Sequence, residues 1–397
     1  CNKVISLIMR KRLPKWSSVK YRLNQFLIQE RYKILEKKNK NLIKDWIRSL
    51  KYKSGYVLLG ANFAKSGGVR NHIVAIEKYA TLGVELVPND DLIKQFSGQD
   101  FANKFKDLFF NFKPKKGTIL HSHVYPWYIK WCKKKQKQGY FWVHTYHLPY
   151  FPEHASNKAM KKWQDNFNKT LENEACDADV KLSVAKWQQK FLKENNNIDT
   201  IYIPNGVDVG LCNKGDSNIA FKKLGFKDYI LNVSRHDPVK NPKEFVLLAQ
   251  AMPKYNFVII GNDLTKELFK EHYCIFTPKN LSILGKMSQL EIQHFISASS
   301  VLVSTAKREG LPTLILEGMA QSKPVVVSNE PGSMEAIDHG KYGYFYELGN
   351  IQDLKNQTLL AIKDEVKPAK ARQRVLEEYD WRVVIKKLDK IYSQINS

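Results

Sequence analysis

Short apolar runs alternate along the chain with longer segments in which apolar residues recur every three or four positions. YVLLG, YILNV, FVII and SVLVS are examples of the runs, and polar or glycine residues follow each of them. Uninterrupted apolar runs of this length are typical of strands that are buried on both faces, and the periodic segments are typical of amphipathic helices. The alternation therefore predicts parallel sheets with helices packed on their faces.

The strand and helix pattern occurs twice, which predicts two domains. The first series occupies residues 54–205 and the second residues 206–377, and Asn, Gly, Asp and Ser cluster between 205 and 228. A chain of 397 residues is also longer than one ordinary hydrophobic core can serve. We expect an α/β fold of two doubly wound, Rossmann-like parallel sheets that face each other across a cleft. Such sheets bind ligands beyond the carboxyl ends of their strands.

Positive charge is concentrated at the beginning of the chain. The sequence has 64 Lys and Arg against 39 Asp and Glu, a net charge of +25, and residues 1–53 alone hold 16 Lys and Arg with three acids. Basic helices that also carry apolar residues suit an anionic membrane surface, where each cation contributes about 1 kcal/mol. We therefore predict a basic helical extension over residues 1–53 that attaches to a membrane. The alternative is a solvated helical face, and no nucleic acid is expected because no nucleic-acid-binding motif accompanies the charge.

The cysteines and the apolar runs indicate a cytoplasmic protein. Five cysteines lie far apart without a Cys-x-x-Cys pair, which argues against a structural zinc site and against a disulfide framework. No apolar run approaches the roughly 20 residues needed to span a bilayer. The first residues also lack the small-residue cleavage site of a signal peptide. We expect the protein to lie peripherally at the inner face of the membrane.

Two segments after predicted strands carry residues suited to an anion. In SGGVRNH, Gly67 and Gly68 open a helix, where backbone N–H groups can approach a phosphate, although paired glycines often form only a tight turn. In SRHDPVKNP, Arg235 and Lys240 lie in a loop and can neutralise a diphosphate. Two solvated cations in a lysine-rich chain would look the same. The position of both segments just beyond strands favours a binding site.

Two glutamates flank the start of the helix predicted over TLILEGMAQS. Glu309 lies in the preceding loop, and Glu317 lies less than two turns into the helix. A carboxylate can accept hydrogen bonds from vicinal hydroxyls, which is how acidic residues hold ribose. One glutamate is therefore predicted to hold the ribose of a nucleotide and the other to contact a sugar at the diphosphate end. The amides of Gly310 and Leu311, with the helix start at Pro312, can add to the anion site.

Five histidines fall within 34 residues and raise the possibility of a metal. They are His121, His123, His144, His147 and His154. A His-x-His pair on a strand places both rings on one face, but no carboxylate pattern of a known metal site accompanies it. Packing or substrate contact is therefore favoured for most of these histidines, and no metal site is predicted.

Taken in this order, the segments resemble the retaining GT-B glycosyltransferases of the GT4 type, also called glycosyl transferases group 1. The most specific element is the glutamate pair in Glu309-GLPTLIL-Glu317, and SRHDPVKN, IPNGVD, SGGVRNHI and ILHSHVYP also fit. In VHT, His144 is similar to a histidine that these enzymes keep near the reacting sugar. A helix at residues 378–394 is similar to the one that crosses back to the first domain in such folds.

The resemblance implies a retaining transfer of a sugar from a nucleotide diphosphate sugar to a hydroxyl of a cell-surface glycan or a lipid-linked acceptor. It implies no cofactor and no metal, because cationic side chains neutralise the leaving diphosphate. The implied catalytic residues are His144, Arg235, Lys240 and Glu309. The implied donor site comprises Gly68, Glu309, Gly310, Leu311, Pro312, Thr313 and Glu317.

Two features depart from the family pattern, and two other functions fit the same fold. Ser234 stands where a glycine usually precedes the arginine, and residues 1–53 have no counterpart in the core fold. One alternative is another GT-B enzyme, such as a nucleotide-sugar epimerase or an inverting transferase. The other is a basic membrane- or nucleic-acid-binding scaffold with a degenerate site. The scaffold is disfavoured because the cations at 235 and 240 and both glutamates are present.

Overall fold

The computed structural model describes residues 16–50, 56–60, 62–63, 67–95, 101–152 and 160–396. Contacts divide the chain into two units. One unit comprises Cys1–Ser54 with Pro88–Lys116, and the other comprises Gly55–Val87 with Gly117–Ser397. Within the basic extension predicted over residues 1–53, the structure describes a helix from Trp16 to Leu50, and the remainder lies outside the described residues.

Helices and strands alternate through most of the described chain. The helices are α1 Trp16–Leu50, α2 Gly68–Tyr79, α3 Asp90–Gln95, α4 Phe101–Phe109, α5 Pro126–Gln136, α6 Lys162–Asn173, α7 Lys186–Asn196, α8 Val209–Cys212, α9 Ser217–Leu224, α10 Pro242–Ala251, α11 Lys266–Glu271, α12 Gln289–Ala298, α13 Thr313–Ala320, α14 Pro331–Ala336, α15 Ile351–Ile362, α16 Val366–Arg374 and α17 Trp381–Asn396. The strands are β1 Tyr56–Gly60, β2 Gly83–Val87, β3 Ile119–Ser122, β4 Trp142–Tyr146, β5 Val180–Ser183, β6 Ile201–Tyr202, β7 Tyr229–Val233, β8 Phe257–Ile260, β9 Leu281–Leu284, β10 Ser299–Ser304, β11 Val325–Ser328 and β12 Tyr344–Tyr346.

The first unit is helical, and its core lies between α1 and α4. Ile43 and Leu50 of α1 are fully buried, as are Phe105 and Phe109 of α4. The centre of the Trp46 ring lies 5.5 Å from that of Phe105 and 6.0 Å from that of Phe109. Residues 88–116, which the sequence pattern assigned to the first sheet domain, thus belong with α1, because their phenylalanines pack against that helix.

The second unit contains two sheets, each of six parallel strands. The strand orders are β2-β1-β3-β4-β5-β6 and β12-β11-β10-β7-β8-β9. Each order reverses once, between β1 and β3 in the first sheet and between β7 and β10 in the second. The crevice at such a reversal, beyond the carboxyl ends of the strands, is where doubly wound sheets bind ligands. This topology confirms the predicted α/β fold and places two such crevices in one unit.

The last helix returns to the first sheet. Trp381, Val384, Ile385, Leu388 and Tyr392 of α17 are buried in one core with Val57, Leu59 and Ile73. The backbone N–H of Thr81 donates to both oxygens of Asp389, at 3.1 and 3.2 Å. This is the crossing that the resemblance implies, and it completes the core of the first sheet.

Candidate active site

Two adjoining cavities lie between the carboxyl ends of the two sheets. The larger cavity has a volume of about 810 Å³ and the smaller about 390 Å³. Both are lined by Gly67 and Asn71 from the first sheet domain and by Arg235, Lys240 and Glu317 from the second. Because these residues are shared, the two cavities form one continuous cleft.

Nine of the ten predicted site residues line the smaller cavity. They are Gly68, Arg235, Lys240, Glu309, Gly310, Leu311, Pro312, Thr313 and Glu317. Gly67, at the start of α2, has φ 106°, a value that favours glycine over every other residue. The helix α13 begins at Thr313, the first residue of the segment predicted to be helical, and Pro312 is its N-cap.

Lys240 and Glu309 form an ion pair at the reversal point of the second sheet. The Lys240 ammonium donates a hydrogen bond to Oε1 of Glu309. The loop that holds Lys240 is tied to the residue after β10, because the Thr305 hydroxyl donates to the carbonyl of Lys240 at 3.2 Å and to that of Asn241 at 2.9 Å. Asn241 has φ 48°, a left-handed conformation that asparagine tolerates well. These contacts fix the backbone of Lys240, so its side chain extends from a defined point in the wall of the cleft.

Arg235 lies at the edge of the cleft with its guanidinium largely in solvent. Its Nε and Nη2 donate to Oδ2 of Asp237 at 3.0 and 2.8 Å, and 64% of its side chain is exposed. An exposed ion pair of this kind contributes little to stability. The guanidinium can therefore exchange the carboxylate of Asp237 for an anionic ligand at small cost. Sequence reasoning did not identify Asp237.

Glu330 supports the loop that carries Glu309. Its carboxylate caps α14 and also accepts the backbone N–H of Glu309, at 3.0 Å, and that of Gly332, at 3.0 Å. Burial raises the pKa of this carboxyl to about 7. Sequence reasoning missed Glu330, and the available signal was a carboxylate directly before Pro331, since proline is favoured at the first position of a helix.

Glu317 is buried in the wall of the cleft. It is 6% exposed, and its two oxygens accept hydrogen bonds from Gln289 at 2.7 Å and from Gln293 at 2.9 Å. Burial raises the pKa of this carboxyl to about 7, although the two amide donors lower it. A carboxylate with neutral donors retains acceptor capacity for further hydroxyl groups. Neither glutamine was predicted.

The structure does not bring His144 into the cleft, which His147 lines instead. His144 is fully buried, lines neither cavity, and lies 2.8 Å through Nδ1 from the Ser122 hydroxyl. Side chains alternate along a strand, so His144 points into the opposite face of β4 from Thr145. His147 follows the end of β4, where it lines the smaller cavity. The two histidines differ in their position along the strand, and ligands bind beyond its carboxyl end.

Four buried histidines cluster behind the cleft. The ring centres of His72, His123 and His147 are 5.2 to 5.5 Å apart, and His121 stacks on His123 at 4.6 Å. Burial holds the pKa of each imidazole below its ordinary value, so the cluster is neutral. Within the described part of the chain, which excludes His154, no group of three or more His, Cys, Asp or Glu is arranged to hold a metal ion.

Hydrogen bonds across the cleft join this cluster to the loop after Glu309. Nδ1 of His72 lies 3.0 Å from Oδ1 of Asn205, whose amide donates to the carbonyl of Leu311 at 3.1 Å. The indole N–H of Trp187 donates to the carbonyl of Gly310 at 2.7 Å. The side chain of Leu311 is itself buried, so only its backbone can serve a ligand.

Comparison with known proteins agrees with this arrangement. Residues 216–378 match the family model described as Glycosyl transferases group 1. This part of the chain is similar to that family. An uncharacterized glycosyltransferase of Methanocaldococcus jannaschii is 28% identical over 226 residues, which cover 55% of this chain and 60% of that protein. The chain thus spans about three fifths of the length of this relative. Residues 216–378, called the group 1 domain below, contain both predicted cations and both predicted glutamates.

Solved structures share this two-sheet fold. A sucrose-phosphate synthase from Thermosynechococcus elongatus superposes with a TM-score of 0.70 at 16% identity, covering 86% of this chain and 99% of that one. The HepE protein of Anabaena, solved with UDP and glucose, gives 0.67 at 17% identity, covering 86% and 100%. At these identities the likeness shows the fold, which is the predicted GT-B arrangement of two Rossmann-like domains.

Proposed function

We propose that the protein is a retaining glycosyltransferase that moves a sugar from a nucleoside diphosphate sugar to a hydroxyl group. One observation carries the proposal: two cations, Arg235 and Lys240, and a buried carboxylate, Glu317, line a single cleft at the reversal point of the group 1 domain. Cations and carboxylates at this spacing suit a ligand with a diphosphate at one end and ribose hydroxyls at the other. The HepE structure, which holds UDP, supports the same class of ligand.

The cations would stabilise the leaving diphosphate. Breaking the anomeric bond builds negative charge on the diphosphate and positive charge on the sugar ring. Lys240, Arg235 and the N-termini of α2 and α13 would meet the negative charge in a cleft that partly excludes water. The same cations supply the charge that a divalent metal would otherwise provide, so the reaction is proposed to need none. The acceptor hydroxyl would attack on the face of the leaving group, and the diphosphate would take its proton.

His147 would contact the transferred sugar beside this diphosphate. We expect His147→Ala to lower the rate of donor turnover about 10²-fold, a typical effect of removing one polar contact to the reacting group. The measurement is the release of nucleoside diphosphate from UDP-, GDP- and ADP-sugars, with and without EDTA. His144→Asn is the control, because its amide can still reach Ser122, and it is expected to keep the wild-type rate. A loss in His144→Asn with normal turnover in His147→Ala would contradict this assignment.

The acceptor is proposed to be a glycan or lipid-linked molecule at an anionic membrane surface. Lys33, Lys37, Lys40, Lys44 and Arg48 are exposed and recur every three or four residues, so they form one stripe along α1. Such a stripe suits acidic lipid headgroups. Among the described residues, no helix has the length and apolar character needed to cross a bilayer. The attachment would therefore be electrostatic and peripheral.

Vesicle flotation tests the stripe. At about 1 kcal/mol for each cation, we expect removal of three charges in Lys37→Gln/Lys40→Gln/Lys44→Gln to weaken binding to phosphatidylglycerol vesicles roughly 100-fold. Lys214, Lys254 and Lys279 are exposed in the second unit, and their triple glutamine variant has the same net charge. Equal binding of the two triple variants to phosphatidylglycerol vesicles would exclude the stripe as an attachment site. Equal binding of the wild type to phosphatidylglycerol and phosphatidylcholine vesicles would exclude it as well.

A further inference from the structure

Both carboxylate oxygens of Glu317 are held by amides of one helix. Gln289 and Gln293, one turn apart on α12, donate to Oε1 at 2.7 Å and to Oε2 at 2.9 Å. Both donors are neutral, so no full positive charge offsets the burial of the carboxylate through these contacts. The ionised form of Glu317 therefore depends on two oriented amides.

The amide of Gln293 is fixed in a single orientation. It is fully buried, and its Oε1 accepts a hydrogen bond from Nε2 of Gln321 at 2.7 Å. Since the amide oxygen is occupied in this way, the NH₂ group must point at Glu317. Gly215 leaves room for the side chain of Gln321, because a Cβ at position 215 would lie 2.7 Å from Oε1 of Gln321. Gln293 thus holds Oε2 of Glu317 from inside the protein.

Gln289 differs from Gln293 in its exposure. It is the first residue of α12, it is only partly buried, and it lines both cavities. Its NH₂ group occupies one side of Oε1, on the face of Glu317 that a ligand would approach. A ribose hydroxyl is a hydrogen-bond donor of the same kind, so it can replace or join this amide without loss of a hydrogen bond to the carboxylate.

We propose that Gln293 is a positioning residue that fixes Glu317 for the ribose hydroxyls of the nucleotide, and that Gln289 is the exchangeable donor that ribose displaces. The inference rests on the proposed function, because it concerns the same donor site. It adds a division of roles between two glutamines, with Gln321 as the residue that orients Gln293.

The two roles predict different pH dependences of nucleotide binding. With a raised pKa of about 7, Glu317 loses its charge as the pH falls through that value, so wild-type affinity falls below pH 7. Removal of the Gln293 donor raises the pKa further, which moves the fall to higher pH. Other titratable or charged groups also lie around this site. Burial and Glu317 raise the pKa of the Cys212 thiol on α8, and Arg372 of α16 donates to the carbonyl of Ala320 at the far end of α13. Lys240, His236 and Lys286 line the larger cavity together with Glu317. A further titratable group on α12 is His294, whose Nδ1 accepts a hydrogen bond from the backbone N–H of Asp216.

Calorimetry of UDP, GDP and ADP binding between pH 6 and 9 tests the proposal on the full chain. For the nucleotide that binds the wild type, Gln293→Met is expected to bind at least tenfold more weakly at pH 7 and to approach wild-type affinity at pH 9. Gln289→Ala is expected to keep affinity within about threefold at every pH, because ribose replaces its amide. Gln352→Met, at an exposed position of α15, is the control for substitution itself.

The outcomes separate the inference from the function on which it rests. A parallel loss of affinity in Gln293→Met at all pH values indicates a merely structural role and overturns the inference, while the wild type still binds. Wild-type behaviour of Gln293→Met overturns it as well. Failure of the wild type to bind any of the three nucleotides overturns the proposed function too. If Gln293→Met does not fold, Gln321→Met removes the orienting donor at a partly exposed position and is expected to shift the profile in the same direction.

Discussion

Lys240→Met is expected to lower kcat for sugar transfer about 10²–10³-fold, the usual effect of removing one group that stabilises developing charge. The ammonium lies beside Glu309 in the wall of the cleft, and its loop is held by Thr305. Methionine conserves the length of the stem, so packing of the chain is retained while the charge is lost. A steady-state assay of nucleoside diphosphate release, with circular dichroism to confirm folding, measures the effect.

Two further variants identify the cause of such a loss. Lys243→Met changes an exposed lysine of α10 three residues away and is expected to leave kcat unchanged. The double variant Lys240→Met/Glu309→Gln removes the carboxylate that the single change leaves unpaired. Because the cation itself is required, the double variant is expected to remain as slow as the single one. Recovery of kcat in the double variant would show that only the unpaired carboxylate had caused the loss.

Gly332→Ala is expected to abolish most transfer while the fold survives. A Cβ at this position would lie 2.3 Å from the carbonyl oxygen of Gly310 and 2.4 Å from that of Glu309. Backbone atoms cannot turn aside as a flexible side chain can, so the loop or α14 must move. Overpacking of this kind costs about 1–3 kcal/mol of stability. The displaced loop carries Glu309, so kcat/KM is expected to fall about 10²-fold, as misplacement by 1 Å can do.

Gly83→Ala is the matched control for this change. A Cβ at Gly83 would meet only Cβ of Tyr56, at 3.8 Å, which is an ordinary contact. Thermal denaturation and kinetic assays of both variants are compared. Equal kcat/KM for Gly332→Ala and the wild type would show that the position of the Glu309 loop does not matter for transfer.

The sequence was sufficient to predict the sheets and the residues that lie directly after strands. Arg235, Lys240 and Glu309 each follow a strand of the group 1 domain, and the position of a strand end is visible as the end of an apolar run. The apolar run does not reveal its own last residue, so the pattern could not show that His144 lies within β4. A shift of a few positions exchanges buried and cleft-lining side chains. The cleft-lining residue His147 lies only three positions further on.

Partners that come from distant parts of the chain could not be predicted from the sequence. Gln293 precedes Glu317 by 24 residues and Glu330 follows Glu309 by 21, and no periodicity within one element relates them. The grouping of residues 88–116 with α1 could not be predicted for a related reason. Their apolar positions fit either a sheet-covering helix or a partner for α1, and only the packing of Phe105 and Phe109 decides between them. Local pattern specifies elements, whereas the side-chain contacts between them require the fold.

Binding of UDP, GDP and ADP to the wild type and to Glu317→Ala, by calorimetry and thermal shift at pH 8, tests the donor site most directly. We predict that one nucleoside diphosphate binds the wild type with a micromolar Kd, and that Glu317→Ala weakens this binding at least 100-fold while it remains folded. The nucleotide that binds also identifies the base. Failure of all three to bind the wild type, or equal affinity in Glu317→Ala, would contradict a nucleotide-sugar site in this cleft.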